Sequence, residues 1–289
     1  MRRVTWSWPT ATGQDEAVRA LITPTELAGL DQAPVLLDVR WRLAGPPAID
    51  DYRAGHLPGA VFVDLDRDLA AEPGEGGRHP LPTPEQLQAA LRAAGVRRNH
   101  PVVAYDAGDG STAARAWWLL RWAGHEQVAV LDGGYAAWTA EGRPTSTETP
   151  TPEPGDIEVD PGHMPVLDAD EAAELARTGV LLDARAPERY RGDVEPIDPR
   201  AGHIPGAVNA PFAGHIGPDG RWRSPEELAA RFTELKVEPG HVGAYCGSGV
   251  TASSVVLALE VAGLGPAPLY AGSWSHWCVE PERPVETGS

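Results

Sequence analysis

Cysteine is scarce in this chain, and its scarcity narrows the kinds of site that the chain can build. The 289 residues include two cysteines, Cys246 and Cys278. Two thiols cannot complete a metal site by themselves, and a single bridge between them would be unusual in a reducing compartment. We therefore predict no disulfide framework and no metal centre, and we expect one reactive thiol.

The chain also has few positively charged residues compared with negatively charged ones, and it has no long apolar runs. Its 24 Lys and Arg residues are outnumbered by 41 Asp and Glu residues, which gives a formal net charge of −17 at pH 7. Such a charge repels phosphate backbones and anionic lipids, so we expect neither nucleic acid nor a membrane as a partner. A local basic pocket could still hold a small anion. No apolar run approaches the roughly 18 residues of a membrane span.

The amino-terminal sequence MRRVTWSWPTATGQDEAV has two arginines but lacks the apolar stretch of a secretory signal. We therefore predict a cytoplasmic protein. Hydrophobic residues make up 42% of the chain and include ten Trp, which supplies enough apolar surface for real cores. The composition thus predicts a globular protein whose chemistry is confined to a pocket.

An internal repeat is the most informative feature of the sequence. VLLDVR at 35–40 matches VLLDAR at 180–185, and RAGHLPGAV at 53–61 matches RAGHIPGAV at 200–208. The matches keep their order along the chain, and their period is too long for a solenoid repeat. The pattern therefore predicts two duplicated domains.

Each half shows short apolar runs that alternate with helical periodicity. VVAYD and VAVLDGG are typical of buried strands, while 112–122 and 226–235 carry apolar residues at helical spacing. This order predicts an α/β fold of two tandem domains, each with a mostly parallel sheet flanked by helices. A segment rich in Pro, Thr and Glu marks a linker at 144–163, which places the domains at 16–143 and 164–289.

The duplication separates candidates for scaffold from candidates for chemistry. Residues that occur in both halves are more simply explained as structural, either as strand-end ion pairs or as imidazoles that cap turns. These repeated residues are Asp38 with Arg40, Asp183 with Arg185, and His56 with His203. Cys246, in contrast, aligns with Asp106 of the first half. The thiol belongs to one half alone and is a candidate for chemistry.

The sequence HVGAYCGSGVTASS places Cys246 where a nucleophile is favoured. We predict that Cys246 ends a strand and that Thr251 begins a helix, and ligands of open α/β sheets bind beyond the carboxyl ends of the strands. Gly247 and Gly249 let the backbone curl, so that amide N–H groups can converge on the sulfur, and the helix adds the positive end of its dipole. Both effects favour the thiolate form.

This loop admits three other interpretations. Cys246 could be a buried packing residue beside a glycine-rich turn. A phosphate loop of the Walker type needs Gly-Lys-Ser/Thr after four intervening residues, and no lysine is present. A cysteine phosphatase has five residues between its cysteine and an arginine, whereas this chain has Ala252 at the arginine position. The phosphate-loop and phosphatase interpretations are therefore disfavoured, and the packing interpretation stays open.

The motifs GHLPGAV, GHIPGAV, LLDAR, YCGSGVTAS and AGSWSHW together resemble the two-domain rhodaneses, a family of sulfurtransferases. The resemblance covers nearly the whole chain. It implies a catalytic second domain, a first domain that lacks the cysteine but helps to build the cleft, and a persulfide intermediate on Cys246. We predict no cofactor.

The residues after Cys246 resemble one branch of this family. Members that use thiosulfate typically carry basic residues there, whereas CGSGVT looks like the pattern of members that use 3-mercaptopyruvate. A doubly charged thiosulfate gains from a cation in the loop, and a thiol donor with a remote carboxylate does not need one there. We predict sulfur transfer from 3-mercaptopyruvate, with release of pyruvate, to cyanide or to a thiol acceptor such as thioredoxin or a low-molecular-weight thiol. The alternatives are a thiosulfate sulfurtransferase and a non-enzymatic scaffold that binds a partner protein.

The resemblance also implies substrate contacts. Arg189 matches a family arginine that binds the substrate carboxylate, and Ala44 occupies its aligned position in the first half; otherwise Arg189 is a solvated residue at a helix end. Arg200 matches a second substrate arginine only after a two-residue gap, and it recurs as Arg53. The loop residues predicted to bind the donor are Gly247, Gly249, Val250 and Thr251.

A Ser–His–Asp set for proton transfer is implied as well. Ser248 matches directly, while His79 in GGRHPLPTPEQL and Asp66 in VFVDLDRD match by order and spacing, and neither recurs in the second half. A histidine near its intrinsic pKa of about 6.5 exchanges protons at pH 7, and a carboxylate holds its tautomer. The alternative is that His79 is a surface residue.

Cys278 follows the aromatic sequence WSHW near the C-terminus. Some members of the family use additional cysteines for redox control. A small buried hydrophobic residue is the simpler interpretation, so we predict a packing role for Cys278.

Overall fold

The first half of the chain folds around a parallel sheet, as the alternating pattern predicts. The computed structural model describes residues 19–288. The strands of this half are β1 (Leu21–Ile22), β2 (Val35–Asp38), β3 (Val61–Phe62), β4 (Val102–Tyr105) and β5 (Val128–Leu131). They lie in the order β1-β5-β4-β2-β3, and every pairing is parallel. The helices are α1 (Pro24–Ala28), α2 (Ala48–Ala54), α3 (Leu65–Asp68), α4 (Pro84–Ala93), α5 (Ala113–Trp122) and α6 (Gly134–Ala140).

The second half repeats this arrangement. Its strands are β6 (Val180–Asp183), β7 (Val208–Asn209) and β8 (Val242–Tyr245), which pair in parallel in the order β7-β6-β8. Parallel bridges from Leu269 to Ala244 and to Val166 continue the sheet beyond β8, so the strand order matches that of the first half. The helices are α7 (Ala169–Thr178), α8 (Pro187–Tyr190), a 3₁₀ helix (Phe212–His215), α9 (Pro225–Glu234), α10 (Ala252–Val261) and α11 (Ser273–Trp277).

The two halves share one core. The predicted helices at 112–122 and 226–235 are confirmed as α5 and α9. Helices α5 and α10 are buried along most of their length, pack against each other and belong to the same cluster of apolar side chains. A helix that is apolar on all sides has to be covered from every direction. Each of these two helices therefore needs the other half of the chain, and their packing fixes the first half beside the loop that follows β8.

The ion pairs repeated in both halves are structural, as predicted. Arg40 Nη2 lies 2.7 Å from Asp38 Oδ2, and Arg185 Nη2 lies 2.7 Å from Asp183 Oδ2, with all four side chains buried. Each arginine also donates to the carbonyl of the glycine in its own RAGH sequence, at 2.8 and 2.7 Å. The pairs therefore tie the end of a central strand to the turn that follows the next helix.

The repeated histidines are structural in the same way. His56 Nδ1 lies 2.7 Å from the carbonyl oxygen of Tyr52, and His203 Nδ1 lies 2.8 Å from that of Tyr190. Each imidazole also stacks on the ring of the same tyrosine, with centroids 3.9 and 3.8 Å apart. Both rings are buried and hold a turn in place.

The segment 144–163 contains no helix and no strand, and it runs along the first half. The amide of Gly155 donates to the carbonyl of Arg92 at 2.8 Å, and that of Ile157 donates to the carbonyl of Val96 at 3.3 Å. The domain limits on either side of this segment stay predictions. No helix among residues 19–288 is long and apolar enough to cross a membrane.

Parts of three predictions fall outside the described residues. These are residues 16–18 of the first domain, Ser289 of the second domain, and the amino-terminal sequence from which a cytoplasmic location was predicted. The structural account begins at Arg19. It therefore leaves the location and the outer limits of the two domains as predictions.

His215 is a buried imidazole without a polar partner. Its ring is fully buried and lies against Trp222 and Phe232, with centroids 6.1 and 5.7 Å away. Within the described part of the chain, neither ring nitrogen has a hydrogen-bond partner. Burial and, to a smaller extent, the nearby charge of Arg231 lower the pKa of His215 to about 3. The folded protein therefore keeps this imidazole neutral at pH values where the unfolded chain protonates it.

Replacing His215 by Leu should reduce the loss of stability in acid. An unfolded histidine has a pKa of about 6.5, so the folded state loses stability as the pH falls from 6.5 towards 3. Between pH 7 and pH 4, the wild-type protein should lose about 3 kcal/mol more of its free energy of unfolding than His215→Leu. Urea denaturation at both pH values measures the difference, with the exposed His241→Leu as a control. Equal losses in the wild type and His215→Leu would contradict this assignment.

Candidate active site

Cys246 lies between a strand and a helix. β8 ends at Tyr245 and α10 begins at Ala252, and the thiol between them is 2% exposed. The amide of Gly249 donates to Cys246 Sγ at 3.1 Å. Gly249 has a φ of +82°, and a Cβ at this position would collide with the carbonyl oxygen of Ala271. Only glycine allows the loop to curl back on the sulfur in this way.

The equivalent loop of the first half shows what this curl can hold. Asp106 takes the place of the cysteine, and its side chain is buried. Its carboxylate accepts backbone hydrogen bonds at 3.0 to 3.1 Å from Gly108, Gly110, Thr112 and Ala113. Burial and the charge of Asp109 raise the pKa of Asp106, while these backbone hydrogen bonds lower it. The first-half loop therefore turns backbone amides towards the side chain at the cysteine position, which is the environment that a thiolate needs in the second half.

His79, from the first half of the chain, contacts the catalytic loop, which is the segment 246–251 between β8 and α10. Its Nδ1 lies 2.7 Å from Ser248 Oγ, two residues after Cys246, and its Nε2 lies 3.0 Å from Asp66 Oδ1. Trp41 Nε1 donates to Asp66 Oδ2 at 2.9 Å, and the indole ring meets the imidazole edge to face at 5.5 Å. The three residues that the family resemblance implied, Ser248, His79 and Asp66, are therefore brought together. Trp41 holds Asp66 and His79 in a way that the sequence did not indicate.

The environment of His79 fixes its protonation. The side chain is 8% exposed, and burial lowers its pKa below the usual 6.5 even though the nearby Asp66 carboxylate raises it. The imidazole is therefore neutral at pH 7. An ionised Asp66 can only accept, so the ring proton lies on Nε2, and Nδ1 accepts from the Ser248 hydroxyl. His79 is thus set to take a proton from Ser248.

Two arginines lie over Gly247, at the start of the loop. A Cβ on Gly247 would be 3.0 Å from Arg78 Nη2 and 3.4 Å from Arg189 Nη1. Both guanidinium groups pair with Asp198, and Arg189 also pairs with Glu195 at 2.7 Å. The two carboxylates are nearly buried, with side chains 4% and 3% exposed. The predicted Arg189 is therefore close to the loop, and its positive charge is already compensated.

Sequence reasoning missed Arg78. It precedes His79 directly, and its amide donates to Ser275 Oγ of the second half at 3.0 Å. The signal was adjacency, because a segment that carries one residue into a cleft brings its neighbour to the same place. The segment GGRHP therefore contributes a cation as well as the imidazole.

Arg200 lies apart from these arginines. Its guanidinium donates to the carbonyl oxygens of Glu280 and Arg283 at 3.1 to 3.2 Å. Its own carbonyl accepts from Trp274 Nε1 at 2.9 Å. The structure thus places the Arg200 side chain against the C-terminal turn and not over the catalytic loop.

The remaining predicted residues complete the loop. Val250 is 2% exposed, and Thr251 precedes the first residue of α10. Cys278 is 1% exposed in an apolar cluster with Tyr245, and burial raises the pKa of its thiol. Its predicted packing role is confirmed. No three His, Cys, Asp or Glu side chains within residues 19–288 gather in a way that could hold a metal ion.

Comparison with known proteins agrees with this geometry. A sequence profile of the rhodanese-like domain matches residues 23–141 and again 168–280. The chain is 48% identical to a probable 3-mercaptopyruvate sulfurtransferase of Pseudomonas aeruginosa, over 93% of this chain and 98% of that protein. It is 46% identical to a putative thiosulfate sulfurtransferase of Mycobacterium tuberculosis, over 94% of this chain and 98% of that protein.

The fold has a solved counterpart as well. The crystal structure of the 3-mercaptopyruvate sulfurtransferase of Escherichia coli superposes with a TM-score of 0.78 at 31% identity, covering 89% of this chain and 99% of that one. The profile matches both halves of the repeat, and the relatives match nearly end to end. The chain therefore belongs to the rhodanese family, as one of its two-domain sulfurtransferases.

Proposed function

We propose that this protein transfers sulfane sulfur from 3-mercaptopyruvate to a thiol acceptor or cyanide through a persulfide on Cys246, and releases pyruvate. The observation that carries the proposal is the contact of His79 with Ser248, which brings a neutral imidazole from the first half to the loop of the thiol. The domain at 164–289 supplies the nucleophile and Ser248, and the domain at 16–143 supplies His79 and Asp66 of the proton relay. This cross-domain set of groups argues against a non-enzymatic scaffold.

The first half-reaction follows from these groups. The Cys246 thiolate attacks the donor sulfur and forms the S–S bond of the persulfide. The bond between the donor sulfur and its carbon breaks, and the electron pair becomes the enolate of pyruvate, which takes up a proton. The donor thiol proton passes through Ser248 to His79 and returns to the enolate by the same path. Asp66 stabilises the imidazolium that forms in between.

The second half-reaction restores the thiol. An acceptor thiolate or cyanide attacks the outer sulfur of the persulfide, and Cys246 leaves as a thiolate, so the reaction is ping-pong. We propose thioredoxin or a low-molecular-weight thiol as the acceptor. The cytoplasmic location predicted from the sequence is consistent with such acceptors.

Arg189 and Arg78 are proposed to bind the donor carboxylate above Gly247, while Gly249, Val250 and Thr251 form the wall on the side of the helix. Both guanidinium groups lie within reach of a ligand seated on Gly247. Paired, charge-assisted hydrogen bonds from arginine suit a carboxylate. For Arg200, the contacts with carbonyl groups of the C-terminal turn favour a structural role.

Thiosulfate is the competing donor, and one relative is named for it. The loop CGSGVT contains no cation, but Arg78 and Arg189 lie beside it. Asp198 and Glu195 compensate the charges of these two arginines. Thiosulfate, a dianion, therefore meets little uncompensated positive charge there. 3-Mercaptopyruvate carries one carboxylate and needs less positive charge to bind. This balance favours 3-mercaptopyruvate.

Replacing Cys246 by Ser should abolish sulfur transfer from either donor and leave the fold intact, because the thiolate is the sulfur carrier. Intact-protein mass spectrometry after incubation with donor should show one added sulfur in the wild type and in Cys278→Ser, and none in Cys246→Ser. Sulfur retained on Cys278 in the Cys246→Ser protein would refute the assignment.

The wild-type protein should prefer 3-mercaptopyruvate to thiosulfate in kcat/KM by about tenfold or more, which corresponds to about 1.4 kcal/mol of transition-state stabilisation. Arg189→Ala should lower kcat/KM for 3-mercaptopyruvate more than for thiosulfate, since only the former presents a carboxylate. Arg191→Ala, an exposed arginine two residues away, is the control and should leave the ratio unchanged. A wild-type preference for thiosulfate would make the protein a thiosulfate sulfurtransferase, and equal losses in Arg189→Ala would remove the carboxylate role.

Loss of the proton relay should change the pH profile as well as the rate. His79→Asn and Ser248→Ala should each lower kcat with 3-mercaptopyruvate by about a hundredfold, and the double variant should be little worse than either one. Because burial lowers the pKa of His79, the wild-type rate should fall with acidification only below about pH 6.5. The variants should lack this acid limb, while the exposed His163→Asn should retain it. Additive losses with an unchanged acid limb would show that the two residues do not form a relay.

A further inference from the structure

Arg115 is a buried cation without a carboxylate partner. It is the third residue of α5, in the first half, and its side chain is completely buried among apolar neighbours. Among the described residues, no carboxylate lies within ion-pair distance of it; its partners are carbonyl oxygens. Burying an uncompensated guanidinium is unfavourable by several kcal/mol, so a fold that keeps one requires a reason.

The partners of Arg115 belong to both parts of the catalytic centre. Its Nη2 donates to the carbonyl oxygens of His79 at 3.2 Å and Pro80 at 3.3 Å, on the segment that carries the imidazole. Its Nη1 donates to the carbonyl oxygen of Gly249 at 3.3 Å, across the boundary between the halves. The amide of the same Gly249 donates to Cys246 Sγ at 3.1 Å. One glycine therefore separates the guanidinium from the sulfur.

The two groups also interact through their charges. Burial lowers the pKa of Arg115 to about 10, and among the described ionisable groups the negative charge of Cys246 is the one that raises it. Arg115 therefore stays protonated at pH 7. In an interior of low dielectric the charge of a fixed cation is weakly screened, so Arg115 acts on a negative charge at Cys246 across one glycine.

Only the first half of the duplicated fold has a cation at this position. Helices α5 and α10 occupy equivalent places after β4 and β8, and the third residue of α10 is Ser254. The Ser254 hydroxyl donates to Thr251 O within its own half, at 2.7 Å. The half that lacks the thiol thus provides the buried cation, and the half that has the thiol provides none at the equivalent position.

We propose that Arg115 is the counter-ion of Cys246 in its thiolate and persulfide states, and a positioning residue through which the first domain holds the catalytic loop. The inference rests on the proposed function of Cys246 as the nucleophile. It explains why a domain without the cysteine is needed for sulfur chemistry, because the charge that keeps the sulfur anionic comes from that domain.

Other charged groups face the thiol and have to be kept constant in a test. Arg78 and Arg189 lie over Gly247, and each is paired with a carboxylate. His79 is neutral at pH 7, since burial lowers its pKa. Arg185 lies over Trp274, whose amide donates to Cys246 O, and it is paired with Asp183 and Glu195. Of the four cations Arg78, Arg115, Arg185 and Arg189, Arg115 is the one without a carboxylate partner among the described residues.

The rate of Cys246 alkylation by iodoacetamide as a function of pH tests this proposal. All proteins carry Cys278→Ser, so that one thiol is read. Arg115→Met should raise the midpoint of the alkylation profile by about one pH unit or more and lower kcat/KM by about tenfold or more. Arg115→Lys, which keeps the charge, should stay within about half a unit of the wild type, and Arg115→Gln, which keeps donors without the charge, should shift like Arg115→Met.

Arg121→Met is the matched control. Arg121 lies on the same helix and also reaches across the halves, but it faces Glu260 at 3.9 Å and is partly exposed. Its substitution should leave the midpoint unchanged. If Arg115→Met does not fold, as judged by thermal melting, the comparison of Arg115→Lys with Arg115→Gln decides the question. An unchanged midpoint in folded Arg115→Met or Arg115→Gln would overturn the proposal. Alkylation does not depend on the donor, so this failure is distinct from failure of wild-type protein to form a persulfide.

Discussion

The proposed function requires an anionic sulfur in a nearly dry place, and this is the constraint on which the rest of the structure depends. Cys246 is 2% exposed, so water cannot solvate a thiolate there, and the protein has to supply the stabilisation that water would give. The Gly249 amide, the start of α10 and, in our proposal, the Arg115 guanidinium supply it. One βα unit meets this requirement: the strand ends at the loop, the glycines let the loop curl, and the helix begins after it.

The duplication shows that the loop turns backbone amides towards the side chain at the cysteine position independently of sulfur chemistry. In the first half, Asp106 brings its own carboxylate into the ring of amides, and four backbone groups bind it. The Asp106 side chain therefore fills the space inside its own loop. In the second half the side chain of Cys246 is smaller, and Arg78 and Arg189 lie over the neighbouring Gly247. The same loop geometry thus encloses its own side chain in the first half and, in the proposed function, holds the sulfur of the persulfide in the second.

Much of this could be predicted from the sequence, because repeats and local patterns carry it. The duplication, the buried strands VVAY and VGAY, and the helix after Cys246 follow from motifs and their order. The set of Ser248, His79 and Asp66 followed from the resemblance to the family. The proximity of Arg78 and Arg115 to the loop could not be predicted in this way, because it depends on how the halves dock. The single arginine amid the apolar first two turns of AARAWWLLRW was a signal, since a charge within a buried helix has to meet a partner. The direction of Arg200 also depends on tertiary structure, namely on carbonyl groups of a turn about 80 residues away.

The shared core explains why the buried cation, Arg115, belongs to the half that lacks Cys246. Within each half, buried arginines are compensated by carboxylates nearby in sequence, as Arg40 is by Asp38 and Arg185 is by Asp183. An arginine paired in this way gives little electrostatic stabilisation to a nearby thiolate. Arg115 escapes such pairing because α5 is buried against α10 and meets only carbonyl groups and apolar side chains. The packing of the two helices therefore does more than join the domains. In our proposal it also carries an uncompensated positive charge to the residue that bears the negative charge of the thiolate and the persulfide.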